Sequence, residues 1–160
     1  MTGTHTVRGD SWTLALPDGW KAPETLANGT VYIDSLDESK GIFVTTWMLA
    51  PEDAPASPAA AAESFKNKDV QALQQMEGYA WRLVEERVDA HETGLAVVIA
   101  DHLADANEYR IATKVLARPP LVVRAAFHDY VCDDYAASRE FFAPLIQSLD
   151  LVAGEGKPGD

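Results

Sequence analysis

Cysteine, basic residues and long hydrophobic runs are all scarce in this sequence. Its 160 residues include a single cysteine, Cys132, which excludes an intrachain disulfide framework and a zinc site built from several cysteines. Thirteen Lys and Arg residues stand against 25 Asp and Glu residues, for a formal net charge of −12. Because such a charge repels phosphate backbones and anionic lipid, we expect no sequence-independent binding to nucleic acid.

Signals for a membrane or for export are also missing. No stretch approaches the ~18 consecutive apolar residues of a transmembrane helix, so we expect no membrane span. The N-terminal residues show no basic segment followed by an apolar one and no lipidation motif, so neither a signal peptide nor a lipid anchor is predicted. These absences together favour a cytoplasmic protein.

What is present is typical of a globular domain. Hydrophobic residues make up 47% of the chain and charged residues 24%, which is close to the average for folded proteins and argues against intrinsic disorder. A chain of this length is the size of one ordinary domain. We therefore predict a single domain over residues 1–152 and a flexible tail over 153–160.

The first half of the chain predicts three strands and a helix. Alternating hydrophobic residues predict the strands, over 11–16, 30–35 and 41–49. Residues 50–57 are acidic and rich in Pro and Ala, which predicts an exposed loop. Ser57 suits a helix N-cap and Pro58 a first helical position, so the Ala-rich segment 59–77 is predicted to be helical.

The second half predicts four long strands and a final helix. The strands are expected over 81–89, 95–105, 108–118 and 121–131. The connections between them are short, which requires antiparallel neighbours. Asp133 and Asp134 suit the start of the last helix, and Pro144 is expected to kink it or split it in two. The fold class is therefore α+β, with an antiparallel sheet of about six to seven strands and two main helices.

The last strand pair carries the clearest candidate for a binding site. Its odd-numbered residues are mostly apolar and its even-numbered residues are basic or titratable. If the odd residues form the core, the even residues of both strands share one surface. We predict a partner-binding surface there, made of Arg110, Lys114, Arg124 and His128.

Residues 107–128 have a net charge of +3 in a protein of −12, and two interpretations of that charge are open. The side chains are either ordinary surface charges that pair with acids on neighbouring strands such as Glu85, Glu86 or Asp101, or contacts for an acidic or carboxylate-bearing partner.

Motifs for catalysis are weak. The sequence contains neither a Gly-x-Ser-x-Gly nucleophile motif nor a Gly-rich phosphate loop. His91 and Glu92 lie near Asp89 in sequence, and Asp101 and His102 follow, but no zinc-ligand spacing is present. We therefore expect no catalytic residue, metal or cofactor, and a protein that is not an enzyme.

Several short segments resemble the PsbP-like/DcrB-like superfamily. They are the opening SWTLALPDGW, the pair Tyr109-Arg110 in a long strand, and the closing FFAPLIQSLDL with Ser148-Leu149. Together with the element order, the resemblance covers residues 11–151. It implies an α/β/α sandwich around an antiparallel sheet. It also implies a non-enzymatic role in binding other proteins, such as photosystem subunits, a small GTPase, or the hydrophobic segments of type VI secretion effectors held by effector-associated (Eag) chaperones.

The expected function is therefore a protein-binding module, specifically a bacterial chaperone or adaptor for a secreted effector. The resemblance implies that a homodimer can form. It is imperfect, because Eag chaperones use an apolar sheet surface and the even-numbered residues here are basic. The alternative is an immunity protein that neutralises a toxin through its acidic N-terminal half, since residues 10–63 have a net charge of −7. A small-ligand-binding protein or a hydrolase is a more distant alternative.

Overall fold

The computed structural model describes residues 4–50, 57–90 and 94–152. Most of the predicted loop at 50–57, the residues His91 and Glu92, and the predicted tail at 153–160 lie outside the described residues. Within the described ranges, neither helix combines the length and the apolar character needed to cross a membrane.

Two α-helices, ten strands and one short 3-10 helix over Asp105–Asn107 make up the regular structure of these ranges. The strands are β1 (Thr4–Arg8), β2 (Trp12–Pro17), β3 (Glu24–Thr25), β4 (Val31–Asp34), β5 (Lys40–Met48), β6 (Arg82–Ala90), β7 (Ala96–Ala104), β8 (Tyr109–Arg118), β9 (Leu121–Asp129) and β10 (Asp150–Leu151). The helices are α1 (Pro58–Gln74) and α2 (Tyr135–Ser148).

Seven strands form one antiparallel sheet, in the order β3-β4-β5-β9-β8-β7-β6. The predicted α+β class, with two main helices and six to seven strands, is confirmed. The remaining strands β1, β2 and β10 form a separate three-stranded sheet. The predicted strand at 11–16 is thus real but belongs to this smaller sheet.

The two helices begin where the sequence predicts. The Ser57 side chain accepts a hydrogen bond from the Ala60 amide, and the Asp134 side chain accepts one from the Ala137 amide. Both contacts satisfy amide donors that have no partner within the helix. The predicted split of the last helix at Pro144 is wrong, because α2 runs through that residue. Pro144 is exposed, so water can bind the carbonyl that its missing N–H leaves free.

Pairing between β8 and β9 contradicts the predicted binding surface. The turn between them has two residues, Pro119 and Pro120, so Arg118 pairs with Leu121 and every pair joins an even to an odd residue. Side chains of paired residues lie on the same face of a sheet. Even residues of β8 therefore share a face with odd residues of β9, and the predicted common surface of even residues does not exist.

Both faces of the seven-stranded sheet are covered. On the face that we call the α2 face, α2 and the three-stranded sheet pack over one core. Its largest members include Trp12, Leu14, Leu16, Ile42, Phe127 and Phe142. On the opposite α1 face, small residues of α1 and Phe65 pack against β7, β8 and β9. The buried members there are Ala61, Ala62, Phe65, Ala96, Val98, Val115, Ala117 and Val122.

Candidate functional site

The four predicted partner-binding residues lie on two different faces. Arg110 and Lys114 point to the α2 face, where only 3% and 7% of their surfaces are exposed. Arg124 and His128 lie on the α1 face and are half-buried. The structure therefore does not bring the four together, and two of them are interior residues.

Arg110 belongs to a buried polar network. Its guanidinium donates two hydrogen bonds of 2.9 Å to the carboxylate of Asp101 and one of 3.0 Å to Ser138 Oγ. The Tyr135 hydroxyl donates to the same carboxylate at 2.5 Å. These contacts tie β7 and β8 to the first turn of α2, and they match the sequence interpretation in which the charge pairs with an acid on a neighbouring strand.

Lys114 holds the other end of the same helix. Its ammonium donates to the carbonyl oxygens of Ile146, at 2.8 Å, and Leu149, at 2.7 Å. A cation at this position satisfies carbonyls that have no partner within the helix and interacts favourably with its negative end. Burial lowers the pKa of Lys114 to about 8, because the charged form loses contact with water.

An open cleft lies between the free edge of the sheet and α2. The helix packs mainly on β2 and β9, and it reaches β6, β7 and β8 through polar side chains. The cavity has a volume of about 450 Å³, and we call it the helix cleft. Its lining residues are Glu85, Arg87, Asp89, Val97, Ile99, Asp101, Arg110, Ala112, Lys114, Arg139, Ala143, Ile146 and Gln147.

Apolar and charged side chains alternate along the floor of the helix cleft. Val97, Ile99 and Ala112 stand on the strands, and the cross-strand neighbours of Ile99 and Ala112 are Lys114 and Asp101. Ala143 and Ile146 form the wall on α2. The charged side chains of the edge strand β6 border the cleft, together with Arg139 from the helix. Apolar pockets that contain a few polar groups are typical binding sites.

Three carboxylates line the helix cleft, and each has an arginine partner. Asp101 pairs with Arg110, as described above. Glu85 pairs with Arg139 at 2.8 Å, which joins β6 to α2. Asp89 lies 3.6 Å from Arg87 on the same strand.

Arg124 also has a structural partner, on the other face. Its guanidinium lies 2.7 Å from the Asp69 carboxylate of α1, with the two side chains 24% and 14% exposed. A second cavity, of about 460 Å³, opens beside this pair and is lined by Trp47, Leu49, Phe65 and Lys68 as well. The pair is half-exposed, so water screens it more than the buried pair at Arg110.

His128 is held as a neutral side chain. Its Nδ1 lies 2.7 Å from the Tyr109 hydroxyl, and the Phe43 ring packs against the imidazole with 5.1 Å between the ring centroids. Burial lowers the pKa of His128 to about 4, and the positive charge of Arg124 adds to the effect. At neutral pH the imidazole of His128 therefore carries no charge.

His128 lies in an aromatic cluster, and the sequence did not reveal this cluster. Rings in contact run across the α1 face through Tyr32, Phe43, His128, Tyr130, Tyr109, Trp81 and Tyr79. Gly41 makes room for it, since a Cβ at that position would lie 2.8 Å from the Tyr130 hydroxyl. The members come from segments that are far apart in sequence, and the strand register brings these segments together.

Cys132, Asp101 and His102 are not arranged for catalysis or metal binding. Cys132 is buried, and burial raises the pKa of its thiol. His102 and Asp101 are adjacent on β7 and so point to opposite faces. Within the described ranges, no three His, Cys, Asp or Glu side chains come together as a metal site.

One end of the molecule is both apolar and acidic. Leu36, Val131 and Phe141 expose 65%, 56% and 40% of their surfaces. The exposed acids Glu38 and Asp133 lie beside them in sequence, where Glu38 pairs with Lys21 and the ammonium of Lys40 lies over the Phe141 ring. The sheet brings the two segments together, because the Tyr130 amide donates a hydrogen bond to the Ser39 carbonyl. We call this region the acidic end.

Comparison with solved structures identifies the architecture. The chain aligns with the solution structure of cyanobacterial PsbP (CyanoP) from Synechocystis sp. PCC 6803 at a TM-score of 0.66, over 94% of this chain and 92% of that one, with 12% sequence identity. The fold is PsbP-like. This confirms the fold that the sequence resemblance implies; at such low identity the likeness extends to the fold alone.

A second similar structure is a Pseudomonas aeruginosa protein of unknown function, PA94, at a TM-score of 0.47 and 15% identity, over 97% of this chain and 98% of that one. No family model matches the chain, and no curated protein matches it significantly.

Proposed function

We propose that the protein is a non-catalytic protein-binding module and that the helix cleft receives part of its partner. The observation that carries this proposal is the open cleft beside α2, where apolar side chains of the strands and the helix lie among charges of both signs. Uncovered apolar surface with a polar border marks interaction sites in proteins. A cleft of this size accommodates a few side chains of a partner segment.

The state of the titratable residues supports a binding role over catalysis. Asp101 and Arg110 are fully engaged with each other and with α2. His128 is neutral and bonded to Tyr109. Catalytic acids and bases need to exchange protons with a substrate, and these groups have structural partners instead.

More specifically, we propose a bacterial chaperone or adaptor that acts in the cytoplasm on a secreted effector. The support is the resemblance of the sequence to effector-associated chaperones, together with the PsbP-like fold. The homodimer that this resemblance implies would carry two helix clefts. The partner would then be encoded near this protein and would contain an apolar segment.

A pair of tryptophan substitutions on α2 tests the cleft. Ala143 is exposed and lines it, so Ala143→Trp should fill it. Ala137 is exposed on the same helix and outside the lining, so Ala137→Trp is the matched control. Each variant is mixed with the products of the neighbouring genes, and affinities are measured by calorimetry.

We expect Ala143→Trp to weaken binding at least about 10-fold, a loss of ~1.4 kcal/mol, and Ala137→Trp to bind like the parent protein. Equal affinities of the two variants would exclude the cleft as the binding site. If no neighbouring gene product binds the parent protein, the chaperone proposal is wrong.

The acidic end favours a second candidate, an immunity protein. Burial of Leu36, Val131 and Phe141 against a basic toxin would combine apolar contact with the attraction of Asp133 and of Glu38, whose charge Lys21 already balances in part. The double substitution Glu38→Lys and Asp133→Lys should then abolish protection against the toxin, whereas Glu77→Lys, a control on an exposed acid after α1, should not. Full protection by the double variant would exclude this surface.

A further inference from the structure

Lys114 differs from every other cation of the helix cleft. The lining contains four cations, Arg87, Arg110, Lys114 and Arg139, and each arginine has a carboxylate partner. Lys114 has only two main-chain carbonyls. Within the described residues, no carboxylate lies within ion-pair distance of its ammonium, although its exposure is only 7% and Asp150 is near enough to raise the pKa that burial lowers. Buried lysines are rare unless they are paired.

The contacts of Lys114 leave one N–H donor unused and part of its positive charge unbalanced. An ammonium has three N–H donors, and two of them are used on Ile146 and Leu149. The carbonyl end of a helix carries roughly half an elementary charge, which balances the ammonium in part. The charged side chains that line the cleft sum to +1, four cations against three carboxylates, in a protein of −12. Asp150, outside the lining, offsets part of this charge at Lys114.

Resting on the proposed function, we propose that Lys114 anchors a glutamate side chain that the partner inserts into the helix cleft. The carboxylate would take the third N–H of the ammonium, and the neighbouring apolar side chains of the partner would cover Val97 and Ile99. Charge complementarity carries the assignment, since Lys114 is the one cation of the lining that has no ion-paired carboxylate among the described residues, and Asp150 acts on it only without direct contact. A glutamate fits better than a chain terminus, because a long side chain reaches a buried ammonium without drawing the polar main chain into the cleft.

Three short peptides distinguish this site from its alternatives. The first is acetyl-Val-Glu-Val-amide, the second is acetyl-Val-Gln-Val-amide, which has the same shape without the charge, and the third is acetyl-Val-Gln-Val with a free C-terminal carboxylate. Binding is followed by NMR on the folded parent protein, through the side-chain resonances of Lys114 and the methyl resonances of Val97 and Ile99. We expect the Glu peptide to bind about 10-fold more tightly than the Gln amide, as is usual for a hydrogen bond between charged groups.

A change of pH provides a test without substitution. The charged groups around Lys114 are Glu85, Arg87 and Asp89 on β6, Asp101 on β7, Arg110 on its own strand, Arg139 on α2 and Asp150 on β10. These are carboxylates and arginines, which carry the same charge at pH 7 and pH 9.5. With the pKa of Lys114 at about 8, its ammonium is mostly deprotonated at pH 9.5, so the preference for Glu over Gln should shrink at least about threefold.

Lys114→Met should remove the preference for Glu, provided that its NMR spectrum shows the fold intact; if the variant unfolds, the pH series on the parent protein decides. Equal binding of the Glu and Gln amides, a preference that persists at pH 9.5, or preferred binding of the free C-terminus would overturn the assignment. Capture of a protein partner without any preference for Glu would refute this inference and leave the proposed function standing. A preference for Glu without capture of any protein partner would support the site at Lys114 and refute the proposed function.

Discussion

The two faces of the sheet hold their helices by different means. On the α2 face, buried polar groups clamp both ends of the helix, with Asp101 and Arg110 at the start of α2 and Lys114 at its end. On the α1 face, Ala61 and Ala62 pack directly on the strands, and the charged contacts lie at the half-exposed rim. The comparison teaches that apolar packing fixes which surface a helix covers, whereas buried directional bonds fix where its ends lie. A defined position for α2 is what keeps the helix cleft open.

The largest difference between the faces should appear when one carboxylate of each is neutralised. Asp101→Asn leaves the buried Arg110 without its counter-charge, and we expect a loss of about 3–5 kcal/mol in the free energy of unfolding. Asp69→Asn does the same to the half-exposed Arg124, where solvent screening limits the loss to about 1 kcal/mol. Urea denaturation at pH 7 measures both. Equal losses would show that the two ion pairs contribute equally to the free energy of unfolding.

Acid should weaken the α1 face more than the α2 face. The pKa of His128 in the folded protein is about 4, below its ordinary value of ~6.5, so between these values the unfolded chain binds more protons and stability falls as the pH falls. The expected loss from this residue is about 2–3 kcal/mol. Denaturation of the parent protein and of His128→Gln at pH 7 and pH 4.5 isolates the contribution. The same pH dependence in both proteins would contradict the prediction.

A smaller effect should follow from filling the space at Gly41. In Gly41→Ala the new Cβ would lie 2.8 Å from the Tyr130 hydroxyl, so the aromatic cluster must shift, and we expect a loss of about 1–2 kcal/mol. Tyr130→Phe removes the contacted oxygen and should relieve part of that loss. A double-mutant cycle in urea measures the coupling between the two sites. Purely additive losses would show that the close approach has no energetic role.

The smallest expected effect concerns a single hydroxyl. Tyr135→Phe removes one hydrogen bond to the Asp101 carboxylate, at an expected loss of about 1–1.5 kcal/mol, because the acceptor is charged and buried. Tyr130→Phe on the other face is the matched control, since no hydrogen bond to its hydroxyl is described. The midpoints of thermal unfolding rank the two. A larger loss at Tyr130 would reverse the contrast between the faces.

Alternating hydrophobic residues and helix-capping residues predicted most of the secondary structure. The four long strands after residue 81 and the capped starts of both helices lie where alternation, Ser57 and Asp134 place them. Strands β1, β3 and β10 were missed, because they are short and largely exposed, so no alternation of buried side chains marks them. They depend on pairing with strands distant in sequence.

The candidate site was harder to predict, since it depends on register. The prediction that groups Lys114 with Arg124 assumes that the even-numbered residues of both strands lie on one face. The pairing of Arg118 with Leu121 instead places even-numbered residues of β8 beside odd-numbered residues of β9. The length of the turn alone predicts that outcome. The helix cleft itself was not predictable in this way, because its existence depends on where α2 lies across the sheet.

The two-residue turn at Pro119 and Pro120 also constrains how relatives of this protein can diverge. Unless a bulge absorbed it, an insertion of one residue there would turn every side chain of β9 to the opposite face of the sheet. Phe127 and His128 would exchange faces, and the charged side chain of Arg124 would lie beneath α2. Insertions of two residues would preserve the orientation. We therefore expect length variation at this turn to come in even steps across homologues, while the connections outside the paired strands vary freely.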